Sequence, residues 1–90
     1  MTMLDIMKGR LPEGLEIAAV KERTSRFEIA FTCKGEQVKG YLPKACQPGY
    51  GEKIADFTIC AAMMEVGLRT NNMEMAKDWM RKQNEAVELQ

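Results

Sequence analysis

Residues 26–33 alternate without a lapse. Phe27, Ile29, Phe31 and Cys33 hold one set of positions, and Arg26, Glu28, Ala30 and Thr32 hold the other. A period of two is the spacing of a half-buried β-strand, with one face apolar and the other in water. Lys34-Gly35 follows, a two-residue turn in which glycine takes the positive φ that other residues avoid. Closing a hairpin there pairs Phe31 with Val38, Ile29 with Gly40 and Phe27 with Leu42. All of these positions lie on the phenylalanine face. Slipping the register by one residue would turn that face to solvent, so alternation and turn specify the same pairing.

The surrounding segments take their roles from this hairpin. Residues 15–22 read as a preceding strand, joined through Arg23-Thr24-Ser25 to give a three-stranded antiparallel meander. Pro43 ends the third strand because it cannot donate to the ladder. Residues 43–53 form the long loop. At the amino-terminal end, residues 2–8 read as a short helix capped by Thr2 and stopped at Gly9.

The segment 52–69 reads as a helix with two apolar stripes. Ile54, Phe57, Cys60, Ala61, Met64 and Leu68 form one; Ala55, Ile59, Ala62, Met63 and Val66 form the other. Only Asp56/Gly67 and Thr58/Glu65/Arg69 interrupt them. Such a helix is expected to be covered on both sides. Residues 70–72 break the chain, and Asn71 with Glu74 three residues later suggests a capping box. The last helix, about residues 72–89, places Met73, Met75, Ala76, Trp79, Met80, Ala86 and Val87 on one broad face. The expected class is α+β, in the order α-β-β-β-α-α, with both C-terminal helices packed on one sheet face. The 90 residues make a single domain, 1–90.

Composition excludes more than it assigns. Thirteen basic residues balance thirteen acidic ones. A protein that lives on phosphate usually carries a positive excess, so nucleic acid is the less favoured partner. Histidine is absent, which removes the commonest general base and metal ligand. Cys33, Cys46 and Cys60 are 13 and 14 residues apart, unlike a zinc site. Neither enzyme activity, a cofactor nor a metal is expected. The odd cysteine count argues against a disulfide scaffold, and no stretch reads as a secretion signal or a membrane span. These features place the chain in the cytoplasm. Cys46, in the loop two residues after Lys44, is the thiol expected to be exposed.

The order of elements, with Gly49-x-Gly51-x-Lys53-x-Ala55 leading into Ala61-Ala62, resembles the layout of double-stranded-RNA-binding domains over about residues 2–69. That family grips phosphates with a lysine cluster at the start of its second helix. Only Lys53 and the glycines 49 and 51 match, with Asp56 close behind and a third helix added.

Two functions follow from these features. The first is a non-catalytic protein-interaction module, or a stoichiometric regulator or inhibitor of the kind bacteria and phages encode. It would act as a homodimer, with Met75, Trp79 and Ala86 as the binding edge. The alternative is a nucleic-acid-binding domain that uses Lys34, Lys39, Lys44 and Lys53, with Tyr41 or Tyr50 as a stacking ring.

Overall fold

The computed structural model describes the backbone of residues 2–88 and the side chains of residues 2–85. In chain order the elements are α1 (Met3–Lys8), β1 (Glu16–Glu22), β2 (Arg26–Cys33), β3 (Glu36–Pro43), α2 (Gly51–Arg69) and α3 (Met73–Glu88). The strands form one antiparallel sheet in the order β1-β2-β3. The helices stack on one side of it, which gives the expected α-β-β-β-α-α arrangement.

The hairpin register is the expected one: Phe31 pairs with Val38, Ile29 with Gly40 and Phe27 with Leu42. Both turn residues adopt positive φ, 53° at Lys34 and 78° at Gly35, the mirror-image turn that suits the strand twist. Phe31, Ile29, Leu42 and Val38 from this face are fully buried, together with Met7 of α1 and Val66 of α2. Gly40 has a packing role. A Cβ there would lie 2.7 Å from the Phe31 ring and 3.2 Å from Thr58, so glycine makes room for the ring beneath the helix.

Helix α2 lies along β3, held by polar contacts at two points. Thr58 Oγ1 donates to the Tyr41 carbonyl at 3.0 Å, and Arg69 Nη1 donates to the Gln37 carbonyl at 2.7 Å. The polar seam of Thr58, Glu65 and Arg69 is therefore the line along which the helix meets the third strand. The stripe of Ala55, Ile59, Ala62, Met63 and Val66 is buried beside it.

Helix α1 begins with a capping box. Thr2 Oγ1 accepts from the Asp5 N–H at 3.2 Å, and the Thr2 N–H donates to the Asp5 carboxylate at 3.2 Å. The bond from the Thr2 N–H, reinforced by its hydroxyl, holds the Asp5 carboxyl below its ordinary range. Arg10, just past α1, grips α2. Its Nε and Nη2 donate to Asp56 at 2.6 and 2.7 Å, and its Nη1 to Glu52 at 3.2 Å.

The cap of α3 is Asn72, not Asn71: its Oδ1 accepts from the Met75 N–H at 3.1 Å. Asn71 instead adopts a φ of 59° just past the end of α2. That left-handed position favours asparagine after glycine, so the first of the two asparagines closes one helix and the second opens the next. Helix α3 folds back antiparallel on α2. They meet at Gly67, where an added Cβ would fall 2.8 Å from the Ala76 backbone nitrogen.

Candidate functional site

The close approach at Gly67 decides which part of α2 is covered. Taking Gly67 as the side facing α3, the 100° step per residue puts Ile59, Val66, Ala55 and Ala62 to one flank, against the sheet. Phe57, Met64, Leu68 and Ala61 fall on the other flank. This second stripe was expected to be covered, and it is largely not. Phe57 is 47% exposed and Leu68 55%; Ala61 is exposed and Met64 half-buried. Only Cys60, nearest the Gly67 line, is buried. The reason is steric: α3 can come close only where α2 has no side chain, and that line runs beside the stripe.

Helix α3 contributes to the same open flank. Met75 and Trp79 lean towards the core and pack against it. Met73 and Met80 lie on the opposite side of Ala76 and are 53% and 45% exposed. Phe57, Met64, Leu68, Met73 and Met80 therefore share one side of the α2–α3 pair. Most monomers scatter exposed apolar side chains singly, whereas here they are grouped on one side.

The residues singled out from sequence sit elsewhere. Trp79 lines a notch of about 200 Å³ with Arg10, Pro12, Asp56, Ile59, Cys60 and Lys82. The Lys82 ammonium lies 4.2 Å from the centre of its ring. Met75 is half-buried, and the side chain of Ala86 lies outside the described residues. Burial, assisted by the nearby Asp56 carboxylate, pushes the Cys60 thiol up and keeps it protonated. Cys33 is buried as well, whereas Cys46 is exposed, and all three are free thiols. The Cys46 thiol points at the Met3 sulfur, 3.5 Å away.

The lysines do not converge. Lys34 is in the β2–β3 turn, and Lys39 is on the sheet face away from the helices, beside Ala30. Lys44 bonds Glu22 at 2.8 Å and lies over the Phe27 ring at 5.5 Å. Lys53 lies over the Tyr50 ring at 5.6 Å, at the start of α2. At about 3.3 Å per strand residue, Lys34 and Lys44 are on the order of 30 Å apart. Tyr41, also on the outer face, is exposed, with the Arg26 guanidinium 4.7 Å from its ring centre. No group of three or more metal-ligating side chains occurs among the described residues. Nor is any helix among them long and apolar enough to cross a membrane.

No protein-family model, curated protein or solved structure matches this chain.

Proposed function

We propose that this protein works by binding another protein through the open flank of α2 and α3, as a stoichiometric regulator and not as a catalyst. The observation that supports this reading is the placement of Phe57, Leu68, Met73 and Met80, four large apolar side chains about half in water on one side of a helix pair. Phenylalanine supplies contact area and methionine adapts its shape to the surface it meets. The Arg10–Asp56 pair ties α2 to the segment after α1, and Asn72 caps the start of α3; elements already fixed in place lower the ordering cost of association. The three free thiols support work in a reducing compartment such as the cytoplasm.

The test compares wild type with Phe57→Glu/Leu68→Glu in capture of a partner from the source cell. The captured protein is then purified and titrated against both. The variant should keep the wild-type far-UV spectrum and melting temperature but bind at least tenfold more weakly, since a buried unpaired charge is strongly unfavourable at an apolar contact. Equal binding by a folded variant would rule out this flank. Salt-sensitive binding of short RNA or DNA duplexes, with no protein captured, would favour the nucleic-acid reading instead.

A further inference from the structure

Strand β1 is half of the sheet's exposed perimeter, and its substantial packing is with β2 alone. Among the described residues, no strand lies on its other side. Six of its seven residues are exposed, and Val20 is 38% exposed although it sits on the helix-bearing face beside Ile29. A free edge of this kind presents N–H and C=O groups ready for another strand.

The β1–β2 ladder shows which groups point outward. The Arg23 N–H donates to the Arg26 carbonyl at 2.9 Å, so these residues form a hydrogen-bonded pair. Alternation along an antiparallel ladder then directs Lys21 and Ala19 towards β2, and leaves Glu22, Val20 and Ile17 directed at the free edge. Ile17 and Val20 are three apart in sequence. They nevertheless share an orientation, because the pairing passes from Ile17↔Phe31 directly to Ala19↔Ala30 and leaves Ala18 as an extra residue. With that bulge, Ile17 and Val20 point to the helix side, and Glu16 and Lys21 to the outer side.

We propose that β1 pairs antiparallel with β1 of a second copy, joining two three-stranded sheets into one of six strands. About a two-fold axis through the bulge, the strand is its own complement. Ile17 meets Val20 of the partner subunit in a hydrogen-bonded pair, and Val20 meets the partner's Ile17. Glu16 meets the partner's Lys21, and Lys21 meets the partner's Glu16. The small Ala18 and Ala19 sit at the axis, where Ala18 meets the partner's Ala19 and Ala19 meets the partner's Ala18. The extra residue falls at the centre, so the pairs on either side stay in phase. Neither Glu16 nor Lys21 makes an ion pair within the chain among the described residues. Opposite charges thus stand at symmetric positions, outside the ion pairs of the monomer. An unrelated strand would have to supply the same order of charge, apolar and small residues, so a second copy is the occupant that fits.

Sedimentation of Glu16→Lys, Lys21→Glu, their equimolar mixture and the double exchange tests this pairing. Wild type should dimerise at micromolar concentration. Each single variant sets like charges opposite each other twice and should self-associate on the order of tenfold more weakly. The mixture and the double variant should both recover, because each restores opposite charges across the axis. A monomeric wild type overturns the proposal. So does a dimer indifferent to the single substitutions, or one that no combination rescues. None of these residues lies on the α2–α3 flank, so partner capture through Phe57 is read independently.

Discussion

Along α2, Ala55, Ile59, Ala62, Met63 and Val66 lie under the sheet, whereas Phe57, Ala61, Met64 and Leu68, no less apolar, remain largely in water. What separates them is how the helix is turned. The buried stripe adjoins Thr58 and Arg69, whose donors tie the helix to carbonyls of β3. It is also flanked by Gly67, which lets α3 approach to backbone contact. The open stripe borders the same two seams but is turned away from the sheet. Apolar character supplies the drive for burial, but a polar anchor and a missing side chain decide which stripe receives it.

The contrast can be broken most severely at the phenylalanines. Phe31→Ala should destabilise the fold by about 3–5 kcal/mol, while Phe57→Ala should change it by roughly 0.5 kcal/mol or less. Urea unfolding followed by far-UV circular dichroism measures both. Similar losses at the two sites would mean that the open flank is covered in solution.

Placing a side chain at the crossing tests its geometry. Gly67→Val forces a branched group towards the Ala76 backbone and should destabilise by about 1–3 kcal/mol. Trp79 emission should shift to longer wavelength as α3 lifts away. An unchanged spectrum and melting temperature would show that the helices have slack at this point.

The smallest effect concerns the anchor. Thr58→Val keeps the volume but removes the donor to the Tyr41 carbonyl, and should destabilise by about 1 kcal/mol. A neutral result would assign the placement of α2 to packing alone.

How much of this could be read from the residues depends on how local the deciding interaction is. The alternation of Phe27, Ile29 and Phe31, with the turn at Lys34-Gly35, lies within one short stretch, so the hairpin register could be read outright. The Thr2 cap is equally local. Asn71 and Asn72 are both good caps, and only the path of the chain leaving α2 distinguishes them. The uncovered flank depended on Gly67 meeting Ala76 across a turn, which the stripes do not reveal. Ile17 and Val20 resemble core residues in sequence. Ile17 is half-buried, and the exposure of Val20 follows from α2 lying along β3, at the far edge of the sheet from β1. Trp79, the most conspicuous apolar residue of α3, drew attention to the binding edge, yet its size is what fits it to the notch against α2.

The grip of Arg10 on Asp56 and Glu52 has a consequence for how the chain comes to be folded. Helix α1 has six residues, too few to persist alone in water. Its buried methionines, Met3 and Met7, find their neighbours in β3 and α2, elements made well after it in the chain. Helix α1 therefore leaves the ribosome before the elements that fix it in place. Until α2 has emerged, two methionines near the start of the chain stay in the open. The Arg10 guanidinium likewise has no Asp56 to close on until α2 is made.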